Sequence, residues 1–186
     1  LDNTTDTDHV HRVLNGDTGA FRHLVEKYQQ MVFSLALKIT GNKEEAEDAA
    51  QEIFLKCYRS LRSYNHRAAF ATWLYRITYN HSIDKLKSKH RRTYQETSED
   101  VLEQATGEHP DSVIDVKDVR AILRNAIDQL QPDEQVMVTL YYYDDLPLRD
   151  IADIMGIREN NAKIKLHRIR GKLMELLKSK KEITLS

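Results

Sequence analysis

From Phe21 to Ile39 the apolar residues Phe21, Leu24, Val25, Tyr28, Val32, Leu35, Ala36 and Ile39 recur three and four positions apart. One face of an α-helix gathers such a set, because side chains three and four apart share a side. The pattern returns in Ala46, Ala50, Ile53, Phe54, Cys57 and Leu61. It returns again in Val116, Val119, Leu123, Ala126, Ile127 and Leu130, and in Ala162, Leu166, Ile169, Leu173, Leu176 and Leu177. Six Gly and three Pro in 186 residues leave few points where a helix must stop. The two-residue alternation of strands is scarce. The chain is therefore predicted to be all-α.

The breakers set the element boundaries. A short helix is expected over Asp8–Asn15, ended by Asn15-Gly16. Asp17 caps a second helix running to about Thr40, which Gly41-Asn42 stops. Asn42 and Glu45 stand in capping-box register for a third helix. Ser63–Ala69 reads as a loop, and Phe70–Arg92 as a fourth helix. Residues 93–116 lose the pattern. Pro132 precedes a helix over Glu134–Tyr143, and Asp144-Asp145-Leu146-Pro147 turns the chain. Leu148–Met155 is a short helix closed by Gly156 as a C-cap, and Arg158–Lys180 is the last. The expected organisation is two small helical domains, 1–92 and 117–186, joined by a flexible acidic linker over 93–116.

Charge supports that division. The formal net charge is −1, but residues 1–92 carry 15 Lys/Arg against 11 Asp/Glu. Residues 93–116 carry no Lys or Arg and seven acids, and residues 117–186 carry 13 cations against 11 acids. Two regions with basic surfaces flank an acidic segment. That segment has two readings: a solubilising linker, or a nucleic-acid mimic that lies against the basic helices in a closed chain.

Composition also excludes classes of function. No apolar run approaches the ~20 residues of a membrane helix. The N-terminal stretch LDNTTDTDHVHRV has neither the basic start nor the apolar core of a secretory signal. Cys57 is the single cysteine, so no internal disulfide is expected. Its place in an apolar stripe makes it a buried thiol, suited to a reducing, cytoplasmic setting. His9 with His11, and His66 with His81, lack metal-ligand spacing and a nucleophile constellation. No metal, cofactor or enzymatic activity is expected.

The stretch FATWLYRITYNHSIDKLKSKHRR, Phe70–Arg92, carries the chemistry. Phe70, Trp73, Tyr75 and Tyr79 crowd its first half. Arg76, Lys85, Lys87, Lys89, Arg91 and Arg92 follow, against one acid, Asp84. Flat rings stack on unpaired bases and cations hold phosphate, so this helix suits single-stranded or melted nucleic acid. Near the C-terminus, a short helix, a Gly turn and a longer basic helix have the layout of a helix-turn-helix. The second helix presents Asn160, Asn161, Lys163, Ile164, Lys165, His167, Arg168 and Arg170 outward. Asn reads adenine edges, and Arg or Lys reads guanine or holds phosphate. Taken alone, the same run also describes a solvated basic helix. Arg149 begins the preceding helix as a backbone contact. Tyr141-Tyr142-Tyr143 reads as core and helix end, because consecutive residues diverge.

With these motifs in order, the chain resembles an extracytoplasmic-function sigma factor, one of the small two-domain sigma-70 family factors, over roughly Asp8–Lys178. The likeness is carried by EAEDAAQEIFLKCYRSL at 45–61, by FATWLYRITYNHSIDKLKSKHRR, and by DDLPLRDIADIMGIRENNAKIKLHRIRGKL. It implies a promoter-specificity subunit that binds core RNA polymerase at the β′ clamp helices and β flap, binds promoter DNA, and is held by an anti-sigma factor. It implies that Asp48, Gln51 and Glu52 meet the clamp helices. It implies that the loop containing Ser63, Tyr64 and Asn65 holds a flipped −10 base. Phe70, Trp73, Tyr75, Arg76, Tyr79, Asn80 and Lys85 then contact the melted strand, and Lys87, Lys89, Arg91 and Arg92 hold its phosphates. Trp73 has a second reading as a core anchor. The outward residues of the last helix, with Arg149, then read the −35 element. Asn161 stands where the family commonly has Thr, and Ile164 where it has a small polar residue, so the −35 preference does not carry over. A stand-alone helix-turn-helix regulator of duplex DNA is the competing reading.

Overall fold

The computed structural model describes residues 3–96 and 116–184, with side chains over 5–89 and 121–178. Four helices precede the undescribed segment: α1 (Asn3–Leu14), α2 (Ala20–Thr40), α3 (Lys43–Ser60) and α4 (Phe70–Glu96). Four follow it: α5 (Val116–Asp128), α6 (Pro132–Val138), α7 (Leu148–Met155) and α8 (Glu159–Thr184). The described residues contain no strand, as the periodicity requires. The segment predicted as a flexible linker lies mostly outside the described residues.

Several boundaries follow the capping chemistry. Asn42 Oδ1 accepts from Glu45 N–H at 2.9 Å, as predicted for the start of α3. The reciprocal half of the capping box is not made, because the Glu45 carboxylate accepts from Lys89 Nζ at 2.6 Å instead. Gly41 and Gly156 both take φ +68°, the left-handed conformation that ends α2 and α7. A full capping box, unrecognised in the sequence, opens α6: Gln131 N–H donates to Glu134 Oε2 at 3.2 Å.

Several extents differ from expectation, three of them with a structural reason. The first helix starts at Asn3, where its early turns bring Asp6 onto α2. Asp6 is buried and accepts from Tyr28 Oη at 2.5 Å and Lys27 Nζ at 2.6 Å. The fourth helix runs to Glu96, past the expected end at Arg92, since nothing in Thr93–Glu96 breaks it. The helix expected through Tyr143 changes pitch at Thr139. Thr139–Tyr143 is a π turn in which Asp144 N–H donates to Thr139 C=O at 3.0 Å.

The first core joins α1 through α4. Leu24, Tyr28, Val32 and Ala36 of α2 meet Ala46, Ala49, Ile53 and Cys57 of α3, and Phe70 and Leu74 of α4 close it. Ala49 takes the buried place predicted for Ala50, which is half-buried, as is Phe54. Cys57 is buried as expected, and burial pushes its thiol up to about 12. The second core joins α5 through α8 around Val136, Met137, Leu140, Ile151, Ile154 and Ile169. It also takes in Leu35 and Ile39 of α2 and Tyr75 of α4, so the two domains pack against each other directly.

Candidate nucleic-acid interface

The loop between α3 and α4 is built by short-range bonds. Leu61–Ser63 is a tight helical turn, and Ser63 Oγ donates to Ser60 C=O at 2.6 Å. Tyr64 folds inward, and its hydroxyl donates to Ala68 C=O at 2.9 Å, closing the loop on itself. Asn65 Oδ1 accepts from Arg67 N–H at 3.2 Å, and His66 sits at φ +59°. Asn65, His66 and Arg67 are exposed at the tip.

Aromatic packing beneath the loop sorts the predicted contacts. Tyr64, Phe70 and Trp73 form a mutual cluster with ring centres 5.4 to 5.7 Å apart. Phe70 is fully buried, so the strand contact predicted for it is corrected: it anchors α4 in the core. Tyr64 is also buried, which pushes its hydroxyl pKa up. Its place makes it a support of the loop instead of a base contact. Trp73 is half-buried, which fits its reading as a core anchor and leaves part of its ring open. It packs on the first core and lines a cavity of about 370 Å³ with Ser63, Asn65, Arg67 and Arg76. Arg67 is a candidate the sequence reading passed over, although its charge within the loop was visible there.

Along α4, Arg76, Asn80, Lys87 and Lys89 are exposed. The side chains of Arg91 and Arg92 lie outside the described ones. Tyr79 is half-buried beside the second domain, and burial and nearby Asp133 push its hydroxyl pKa up. Tyr75 is 5% exposed, and its hydroxyl donates to Asp144 Oδ2 of the second domain at 2.9 Å. Predicted as a strand contact, Tyr75 is covered in this structure.

The predicted docking residues Asp48, Gln51 and Glu52 stand together on the solvent edge of α3. That edge adjoins the basic edge of α4. Glu52 accepts from Lys85 Nζ at 3.2 Å and lies 2.9 Å from His81 Nε2, while Glu45 holds Lys89. The Lys85 hydrogen bond, with the positive neighbours, holds the Glu52 carboxyl below its ordinary range. Leu55 and Tyr58 continue the α3 surface as exposed apolar side chains, Leu55 at 56%.

In the second domain, Gly156 turns α7 into α8, and Ala162 and Leu166 seat the second helix against the first. Asn160, Asn161, Lys163, Ile164, His167 and Arg168 point to solvent on one face, as predicted. Lys163 is held by Glu159 at 3.1 Å, one turn before it. Two members are restrained. Lys165 is paired with Asp133. Arg170 donates to Tyr142 Oη at 2.6 Å, its guanidinium 5.7 and 5.8 Å from the Tyr141 and Tyr142 ring centres. Arg149 is exposed, with Asp150 3.6 Å away. No group of three or more His, Cys, Asp or Glu arranged to hold a metal occurs among the described residues. No helix among them is long and apolar enough to cross a membrane.

An all-helical pair of domains, one with an aromatic and basic helix beside an acidic edge and one with a helix-turn-helix, has the layout of a nucleic-acid-binding protein. Comparison with known proteins narrows the class. Residues 24–92 match sigma-70 region 2, and residues 120–173 match sigma-70 region 4. The RNA polymerase sigma-H factor of Pseudomonas aeruginosa is 34% identical over 170 residues, covering 87% of this chain and 88% of its own. The ECF RNA polymerase sigma-E factor of Escherichia coli K12 is 32% identical, covering 89% and 91%. The sigma factor RpoE of Bartonella quintana, solved with the anti-sigma factor NepR, shares the fold at a TM-score of 0.67 and 21% identity, covering 85% of this chain and 96% of its own. The chain belongs to the extracytoplasmic-function group of the sigma-70 family, the sigma factors of RNA polymerase.

Proposed function

We propose that residues 1–92 dock core polymerase and take the melted −10 strand, while residues 117–186 read the −35 duplex. The observation that carries this reading is the shared border of α3 and α4. The exposed Asp48, Gln51 and Glu52 lie beside a row of cations, and Lys85 and Lys89 are tied to α3 acids. A polymerase surface seated on α3 therefore has the strand-binding edge of α4 next to it, at the position where DNA opens. Asn65 and Arg67 of the loop, with Trp73 and Arg76, offer polar, cationic and stacking groups along a cavity that Asp153 and Ile154 of α7 close on its far side. The sigma factor does no covalent chemistry itself. Bases that leave the duplex exchange stacking in DNA for stacking on protein.

On the second domain, the solvent face from Asn160 to Arg168 enters the major groove, and Arg149 meets the backbone. The chain works in the cytoplasm, where its polymerase is. The anti-sigma complex of the Bartonella quintana sigma factor supports control by an anti-sigma partner. A stand-alone duplex-binding regulator would account for α7 and α8 but for nothing in α3 and α4.

Reconstitution tests the reading. Chain plus core polymerase should initiate at discrete promoters, found by sequencing the 5′ ends of transcripts. Asp48→Arg with Glu52→Arg should abolish core binding while leaving the helical circular dichroism intact. Failure of the unmodified chain to bind core polymerase sinks the proposal.

A further inference from the structure

The histidines near the N-terminus are partnered across the fold. His9 stacks on His23 of α2 with ring centres 4.7 Å apart. His11 stacks on His66 of the 63–69 loop at 5.3 Å, the two planes 6° from parallel. His66 also meets the Tyr64 ring at 4.4 Å. The α1 side of the His11–His66 contact is firmly seated. Val10 and Val13, which bracket His11, are buried in the first core. Asp6 is bonded to Tyr28 and Lys27 of α2, and Arg12 donates to Asp17 at 2.7 Å just beyond the helix end. The loop side is exposed from Asn65 to Arg67. There His66 holds φ +59°, a left-handed conformation that a side chain disfavours. The bond from Arg67 N–H to Asn65 Oδ1 spans it. Asn65 and Arg67 line the cavity beside Trp73, whereas His66 turns onto α1. A ring fixed in the middle of this turn fixes the residues on either side.

We propose that His11 is a positioning residue for base recognition: it braces the left-handed His66 against α1 and so aims Asn65 and Arg67 at the flipped base. The proposal rests on the assignment of the loop to the −10 strand. Because both members of the stack are histidines, the brace responds to protons. Histidine gains its charge between about pH 8 and pH 5, and two charged rings stacked face to face repel. The surrounding acids do not offset that repulsion. Asp17 is taken by Arg12, and Asp6 by Lys27 and Tyr28. Asp8, three residues before His11, is exposed to solvent. Among the described residues, the histidine ion-paired with an acid is His81, not His11 or His66. Arg62 and Arg67, with Arg76 of α4, add positive charge, as do His9 and His23 of the neighbouring stack once protonated. A fall in pH therefore loosens the loop and blunts its choice of base.

The test uses holoenzyme made with the full chain, on a promoter found by transcript sequencing. Each position of its −10 element is randomised in turn, and initiated transcripts are counted for every base. Asn65→Ala identifies the position that the loop reads. Discrimination there should fall about fivefold in His11→Ala, the loss of one stacked ring pair. His66→Gly, which accepts the left-handed backbone but lacks the ring, should show the same loss. His11→Phe keeps a ring that takes up no proton, so it should retain discrimination at pH 8. Between pH 8 and pH 6, discrimination by the unmodified chain should fall about threefold, and that by His11→Phe should hold steady. Circular dichroism verifies folding. If His11→Ala does not fold, the pH profile of His11→Phe decides. Unchanged discrimination in folded His11→Ala, or a pH profile in His11→Phe equal to that of the unmodified chain, overturns the brace. The outcome is separable from the reading beneath it. If Asn65→Ala relaxes no position, the assignment of the loop fails; if it relaxes one that His11→Ala leaves sharp, the brace alone fails.

Discussion

Asp6 is the strongest test of how α1 is held. Its carboxylate is buried and accepts from Tyr28 Oη at 2.5 Å and Lys27 Nζ at 2.6 Å. In Asp6→Ala the Tyr28 hydroxyl keeps its buried place and loses its partner, which costs about 1–3 kcal/mol. Lys27 remains about a third exposed at 31%, so its ammonium turns to water and adds little. The sum is about 1–3 kcal/mol. With a urea slope of about 2 kcal/mol/M for a chain of this size, the midpoint should fall by about 1 M. The double variant Asp6→Ala with Tyr28→Phe removes the orphaned hydroxyl as well, and should recover about 1–2 kcal/mol relative to Asp6→Ala. Urea denaturation followed by far-ultraviolet circular dichroism measures the unmodified chain, Asp6→Ala, Tyr28→Phe and the double variant. If the two single losses simply add in the double variant, the hydroxyl and carboxylate are uncoupled and the reasoning fails.

Phe70→Ala should cost about 3–5 kcal/mol in the same assay, while half-buried Trp73→Ala costs less stability but also impairs promoter opening; permanganate footprinting of melted thymines separates the two. Tyr28 and Tyr75 both hold their protons above the ordinary 10.0, chiefly through burial, so the unfolded chain ionises first. Stability from these groups is complete below pH 10 and declines as the pH rises beyond it, which urea midpoints between pH 8 and 11 will show and Tyr28→Phe will flatten. Lys163→Ala should reduce the salt slope of holoenzyme–promoter binding by about 0.9, and Lys87→Ala by about 0.7, if each holds one phosphate; unchanged slopes remove that role. Gly156→Ala, at φ +68° between α7 and α8, should cost about 1–2 kcal/mol of thermal stability.

The candidate site was legible in the sequence where it depends on one helix. The solvent faces of α3 and α8 follow from apolar residues three and four apart, since a buried stripe fixes which side points away. Asn42 and Gly156 were readable as caps because capping is local chemistry. The aromatic half of α4 was less legible. Phe70, Trp73 and Tyr75 share a composition that suits both base stacking and core packing, and only depth separates them.

Amino-acid order by itself determined the all-helical class, the division around the acidic stretch and the motifs that reveal the family. Periodicity states that Leu35, Ile39 and Tyr75 need cover, but it cannot name the cover, because the hydrophobic effect is non-directional. Only the tertiary structure assigned them to the second domain instead of the first. It also placed Asp144 on Tyr75 across 69 residues of chain, and tied Glu52 to Lys85 across 33. Such pairings depend on how helices meet, and no local pattern encodes them.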